Sequence, residues 1–434
     1  MAIQTQESHP LQVLIVGAGI AGLSAAIALG KQGHHVVILE KSTFLREAGA
    51  AIHMPPNCTA LLEWMGISPR DFGGTLLHEL HRYDHLGNMK HHKDFAEIRD
   101  KWQAEWYLVH RVDLHNYLKE RAQETATLHT GCTITHLSLK SDRPSVTLDD
   151  GRTFSGDLLL GADGLHSIIR KEIAPESPTP YTVGKSCFRW LLPTAKLKEA
   201  AATKNIVQKP GVFIEWATTD RRLVAYPCSN NETFNLCAFI PTEEAGGIAE
   251  GWQATGNRRA LINGFSMFEA GVQALVEDSP QDDLKMWELF DMKPLATWVN
   301  GHCAVLGDAA HPFQPYMGQG GAMAIEDAVS LATLLPMGSR KEDLPHRLKI
   351  YERARRPRVE YVLEYTRLNG LDEDDTSARR ITGAEMVQVM ATCFSHNEIE
   401  HSTKLLDLAY PGTETLARGS PFSDASGGAE RETG

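Results

Sequence analysis

Apolar residues in this chain gather into short runs that end on glycine and then give way to a helical period. The first such stretch is Leu11 to Glu40. An apolar run, Val13 to Val16, enters Gly17, Gly19 and Gly22, an alanine- and leucine-rich helical pattern follows, and a second run, Val36 to Leu39, closes on Glu40. This order predicts a βαβ unit. The pattern recurs at Asp157 to Arg170, where a strand Leu158 to Gly161 delivers Asp163 and Gly164 to its carboxyl end, and at Gly301 to Pro312, whose strand ends on Gly307 and Asp308. A long apolar helix follows, opened by Gly318, Gly320 and Gly321. Such turns at the carboxyl ends of strands are where an open α/β sheet holds its ligand.

Between the second and third stretches the period changes. Residues 184 to 241 hold four strand-like runs, GKSCFRWLLP, GVFIEWAT, RLVAYPCS and TFNLCAFIP, separated by turn formers such as Asn230-Asn231. They predict a largely antiparallel sheet with one face on the βαβ unit. The expected fold class is therefore α/β, a Rossmann-like dinucleotide-binding domain with an interleaved antiparallel β-sheet domain. Residues 1–75, 106–177 and 286–370 make the first, and 76–105 with 178–285 the second. Residues 371–434 form a C-terminal segment with a helix from about Ala384 to Cys393 and a tail of disordered composition.

Composition narrows the function classes. With 42% hydrophobic residues the chain reads as a globular enzyme, and a net charge of -12 argues against nucleic acid or an anionic membrane as partner. No apolar run is long enough to span a bilayer, and the first residues lack the profile of a secretion signal. Seven scattered cysteines without a CxxC pair suit a reducing compartment, so the expected location is cytoplasmic.

The candidate chemistry starts at the glycines. Gly17 permits a tight turn, Gly19 leaves room for a pyrophosphate to touch backbone, and Gly22 lets the helix lie close on the sheet. The helix N-terminus offers unpaired N–H groups, and Glu40 stands where a carboxylate takes both ribose hydroxyls of an adenosine. Arg46 follows closely enough to swing toward the pyrophosphate, and Asn57 is placed to cap a helix Cys58 to Met65. His53 reads either as a packed histidine or as an active-site group. His78, His81 and His85 have helical spacing that suits a metal, but Asp84 to Asn88 look like a hairpin turn, and the solvent-facing hairpin, without metal, is the better reading. Trp106 to Ala122 opens as a strand and becomes a helix, with Arg111 at the junction and Asp113 as its cap. In the run GKSCFRWLLP, Phe188 and Trp190 share one face and Cys187, Arg189 and Leu191 the other. An arginine among apolar neighbours needs a partner, either a structural carboxylate or a substrate anion.

The glycine triplet with Glu40, the Asp163-Gly164 turn and the Gly307-Asp308 turn, in that order and spacing, resemble the single-component FAD-dependent aromatic hydroxylases. That family includes p-hydroxybenzoate, salicylate and 6-hydroxynicotinate hydroxylases and many fungal monooxygenases. The likeness covers roughly residues 11 to 360, with the HRVDLH and YERARRPRV stretches. It implies FAD as cofactor and NAD(P)H as co-substrate, without a separate nucleotide domain for the latter. Glu40, Lys41, Arg46, Arg111, Asp163 and Asp308 would then bind along FAD with Gly17, Gly19 and Gly22, while Gly318, Gly320 and Gly321 would clear the approach of the isoalloxazine. By the same resemblance oxygen adds at the flavin C4a position, and the hydroperoxide hydroxylates an aromatic substrate. His53 or Tyr226 would relay the phenol proton, Arg189 would stabilise the phenolate, and Pro312 would line the pocket. The expected partners are a small aromatic molecule and oxygen, with the chain a monomer or homodimer. Three alternatives stay open: decarboxylative hydroxylation, epoxidation or rearrangement of a secondary metabolite, and a non-catalytic FAD-fold binding protein.

Overall fold

The computed structural model describes residues 10–43, 50–246, 256–372, 375 and 379–411, so Arg46 and the terminal tail lie outside the described residues. Six strands form the first sheet in the order Val299–Asn300, Cys303–Val305, Leu158–Gly161, Gln12–Val16, His35–Leu39, Ala126–His129. All pairs are parallel except the one at the Val299–Asn300 edge. Parallel strands covered on both faces need continuous apolar runs, and Val13 to Val16 and Leu158 to Gly161 are buried throughout. Strand Gln12–Val16 sits centrally, and the chain crosses from it to one side and later returns on the other. Its carboxyl end is therefore the switch point at which such sheets bind ligands.

The second sheet has seven strands, in the order Lys285–Asp291, Tyr181–Pro193, Thr233–Pro241, Arg222–Cys228, Val212–Ala217, Glu79–Asp84, Met89–Asp94. Neighbours are antiparallel except Val212–Ala217 with Glu79–Asp84. Alternation sends Phe188, Trp190, Leu192 and Trp216 into a core that Leu261, Val272 and Leu275 complete from two short helices. The other face packs Cys187, Val224, Tyr226, Cys237 and Phe239 toward the core of the first sheet. Strand Lys285–Asp291 pairs with Tyr181–Pro193, which carries this sheet past the expected boundary at residue 285.

Several local expectations change. Residues 79 to 94 are a hairpin whose turn Asp84 closes by accepting from the Leu86 and Asn88 amides, so the helical spacing of His78, His81 and His85 is not realised. Asn57 does not cap its helix, Pro56–Trp64; it is buried and donates to Gln319 Oε1 at 3.2 Å and Glu326 Oε1 at 2.8 Å. Asp113 does not cap either, since helix Arg111–Gln123 starts after His110 and Asp113 accepts from Ser229 Oγ. The expected C-terminal helix is present as Gly383–Phe394, opened by a Thr382/Glu385 capping box, and a second helix, Glu398–Ala409, follows it.

That second helix completes a buried ion network. Arg355 lies between Glu326, Asp327 and Glu398, Arg358 binds Glu326 through two nitrogens, and Glu326, Asp327, Arg355 and Glu398 are wholly inaccessible. Asp327 also accepts from the Gly307 amide at 2.9 Å and pairs with His311 at 2.6 Å, so the network holds the Gly307-Asp308 turn from behind. Removing one member of such a cluster strands buried charge. Arg355→Ala is expected to cost about 3–5 kcal/mol in denaturant unfolding, against under about 1 kcal/mol for Arg356→Ala in its more exposed pair with Glu352.

Candidate active site

The three glycines of the first turn serve different masters. A Cβ on Gly17, whose φ is +104°, would lie 2.3 Å from Ala162 O, and one on Gly22 would lie 2.0 Å from Gly17 O. Those two are required by the fold. A Cβ on Gly19 would meet nothing within 4 Å, and its φ of −74° suits any residue. What Gly19 keeps clear is space in front of the N-terminus of helix Ile20–Lys31, where backbone N–H groups attract a phosphate.

Glu40 is oriented by the Ala18 amide at 2.8 Å and the Ser42 amide at 2.7 Å, each on a different carboxylate oxygen, and Lys41 beside it is exposed. Both oxygens retain a lone pair for hydroxyl donors. Asp308 reaches solvent; desolvation raises its pKa, while His311 and Arg111 act the other way. Arg111 is tied by its amide to Ala50 O at 2.7 Å. Arg111 and Asp308 thus face one cleft with the glycine turn, and its donors and acceptors suit a pyrophosphate, a ribose and a ribityl chain. Asp163 is different: it accepts from Ser167 Oγ and from the Ile168 and Ile169 amides, capping the short helix Ile168–Ile173. It shapes the turn at Gly164, whose φ is +75°, in place of presenting a free carboxylate. His115, unmarked in the sequence reading, bonds Ala18 O at 2.7 Å and props up the glycine turn.

Strand Ala51–Met54 joins this cleft to the second sheet. Its Ala51 amide donates to Asn235 Oδ1 and its Ala51 carbonyl accepts from Tyr226 OH, both at 2.8 Å. His53 is thereby held over the sheet, with its ring centroid 4.8 Å from Tyr226, 5.4 Å from Phe213 and 5.8 Å from Trp106. Gly318, at φ +62°, makes room for it, since a Cβ there would come within 3.1 Å of His53. Likewise Gly321 abuts Ile52 and Gly320 abuts Phe313, so these glycines clear protein side chains as well as any ligand.

Below His53 opens a cavity of about 130 Å³, partly continuous with solvent. Its walls include His53, Arg189, Tyr226, Phe213, Gly318 and Gln319. The remaining wall comes from Met386, Met390, Cys393 and Phe394 of helix Gly383–Phe394, which the sequence reading set apart from the site. Pro312 is buried and does not line the cavity; Pro315 does.

Arg189 has no carboxylate within ion-pair range among the described residues. Its guanidinium lies 4.6 Å from the Trp287 ring, and its Nε is buried without a hydrogen-bond partner. The structural carboxylate considered for it is therefore not found. His53 Nδ1 is likewise buried and unpartnered, and desolvation, aided by the charge of Arg189, lowers its pKa to about 4. Tyr226 has its hydroxyl proton committed to Ala51 O, and burial pushes its pKa well up. Near neutral pH the cluster is thus a fixed cation beside a neutral imidazole with a free acceptor nitrogen. Because the folded pKa of His53 lies below its ordinary 6.5, its contribution to stability is complete above pH 6.5 and is lost as pH falls through about 4. His53→Gln is expected to flatten the unfolding free energy over that window, as measured by urea titrations at pH 4 to 7.

Among the described residues no helix is long and apolar enough to cross a membrane. Residues 10–366 match the FAD binding domain family. The hispidin-3-hydroxylase of Neonothopanus nambi is 35% identical over 374 residues, covering 82% of this chain and 87% of that protein. The 3-hydroxybenzoate 6-hydroxylase 1 of Aquipseudomonas alcaligenes is 31% identical over 364 residues, with 82% and 87% covered. The crystal structure of CtdE in complex with FAD and substrate 4 superposes with a TM-score of 0.78 at 21% identity, covering 92% of this chain and 99% of that one. With the glycine turn, Glu40 and Asp308 around one cleft and a cavity beside it, the chain belongs to the FAD binding domain family and is a flavoprotein monooxygenase of the aromatic hydroxylase type.

Proposed function

We propose that the protein hydroxylates an electron-rich phenol, using NAD(P)H as reductant, in the cytoplasm. The observation that carries this reading is Arg189, a buried cation without a carboxylate partner among the described residues, next to the unpartnered Nδ1 of neutral His53. When bound and reduced, FAD would supply the two electrons that activate O2, of which one oxygen atom goes to the ring and the other leaves as water. Everything else falls to this chain. Gly19, Glu40, Arg111 and Asp308 would hold the cofactor on the turn that Gly17 and Gly22 shape, and the aromatic walls and the helix Gly383–Phe394 exclude water from the ring that reacts.

Hydroxylation is electrophilic, so a phenolate reacts faster than a phenol. His53 relays the phenol proton, and Arg189 stabilises the oxyanion left behind. Tyr226 is a positioning residue: with Asn235 it clamps Ala51 and so fixes His53. The test is a panel of phenols and aromatic acids scored for substrate-stimulated NAD(P)H oxidation and for hydroxylated product. The reading expects both with phenols and neither with their O-methyl ethers. Equal turnover of phenols and ethers contradicts it.

A further inference from the structure

The registers of the second sheet place five side chains in one row across it: Arg82 beside Glu215, Glu215 beside Val224, Val224 beside Cys237, and Cys237 beside Arg189. All five line the cavity. Adjacent strands lie ~4.8 Å apart, so the four steps separate the two arginines by roughly 19 Å at their backbones. The cavity floor is a transverse trough with a guanidinium at each end.

The two ends are alike in charge. Arg189 has no carboxylate within ion-pair range among the described residues. At the other end Arg82 Nε lies 3.3 Å from Glu215 Oε1, and Arg222 Nη1 lies 3.9 Å from Glu215 Oε2, so one carboxylate is shared by two cations and a positive charge remains. The Arg82–Glu215 approach is not aligned as a hydrogen bond, and Arg82 Nε, like Arg189 Nε, is buried without a partner. Between the ends the floor is Val224 and Cys237. Met386, Met390 and Phe394 complete the wall, an apolar and adaptable surface for a flat ring system. A single ring with hydroxyl and carboxylate is too short to reach both ends.

We propose that the cavity takes a long, flat, conjugated phenol with an acidic group at each end, the phenolate at Arg189 and a remote carboxylate or acidic enol at Arg82 and Arg222. This rests on the phenol-hydroxylating reading above and names its substrate class. Arg82 and Arg222 then set specificity for length, which neither His53 nor Arg189 senses.

The test is calorimetric titration of the FAD-loaded protein with two probes, trans-4′-hydroxystilbene-4-carboxylate and 4-hydroxybenzoate. The long probe is expected to bind at least about tenfold tighter, equivalent to ~1.4 kcal/mol. Arg82→Gln should bring the ratio of the two dissociation constants near one, Arg82→Lys should retain most of it, and Arg189→Gln should weaken both probes. Arg222→Gln serves as the second variant should Arg82→Gln lose its FAD or its circular dichroism. Equal affinity for the two probes, or a ratio that neither glutamine variant moves, overturns the proposal. Protein that holds FAD and answers single-ring phenols but does not favour the long probe refutes this inference alone, whereas protein that binds no FAD refutes the reading beneath it.

Discussion

Arg189→Ala is expected to lower kcat/KM for the phenolic substrate by about 10²- to 10³-fold and to divert reducing equivalents from product to hydrogen peroxide. The expectation follows from what surrounds the guanidinium. Burial opposes its charge, but Cys237, Cys187 and Tyr226 beside it raise its pKa on balance, and the described residues supply no carboxylate, only those groups and the Trp287 face. Among the described residues its removal strands no buried carboxylate. The variant should therefore be no less stable than the parent while being a poorer enzyme, a combination that a merely structural arginine would not give. Arg189→Lys should recover part of the rate, because the charge remains and the planar fork is lost. Product yield per NAD(P)H consumed, set beside the urea midpoint, checks both halves. An unchanged coupling ratio in Arg189→Ala would remove the arginine from the mechanism.

Gly19→Val is expected to weaken FAD binding by at least roughly 100-fold, ~2.7 kcal/mol, while leaving the apoprotein's Tm within about 2 °C. Gly22→Val should instead fail to give folded protein. The contrast rests on distances: a Cβ at position 22 would sit 2.0 Å from Gly17 O, whereas one at position 19 meets no protein atom within 4 Å. A side chain at 19 can only intrude on what comes from outside. Thermal melts of the apoproteins and flavin titrations separate the outcomes. A Gly19→Val chain that binds FAD normally would mean the phosphates do not approach this turn.

The parts of this molecule that were legible in sequence are those written in consecutive residues. The βαβ unit from Leu11 to Glu40 carries its glycines, its apolar runs and its terminal acid within one stretch, and the four runs from 184 to 241 became the strands that their alternation suggested. The split of Phe188 and Trp190 from Arg189 also follows from a period of two. What escaped depends on distant pairing. Arg82 and Arg189 lie in one row only because five strands meet in a particular register, and a shift of one residue would send either to the other face.

Distant pairing hid charge in the same way. Arg355 and Arg358 sit in YERARRPRV, and Glu398 in a stretch rich in glutamate and histidine, and neither stretch by itself shows that the helices bury these residues against Glu326 and Asp327. Asp163 was legible as a turn residue, but that its oxygens are taken by Ser167, Ile168 and Ile169 was not, because an acid at a strand end looks the same whether it caps a helix or meets a ligand. The helix Gly383–Phe394 was expected from its apolar spacing, while its place against the cavity, 194 or more positions from Arg189 in the chain, could come only from the packed structure.

The central claim is that one cleft, formed by the Gly17 turn, Glu40, Arg111 and Asp308, holds FAD beside the His53 and Arg189 cavity. Equilibrium dialysis of the purified apoprotein against FAD, with the visible spectrum of the bound flavin recorded before and after addition of a phenol, tests it most directly. The account predicts one FAD per chain at a submicromolar dissociation constant and a flavin spectrum that the phenol perturbs in the parent but not in Arg189→Ala. A protein that stays colourless in excess FAD, or whose bound flavin is blind to every phenol, would contradict it.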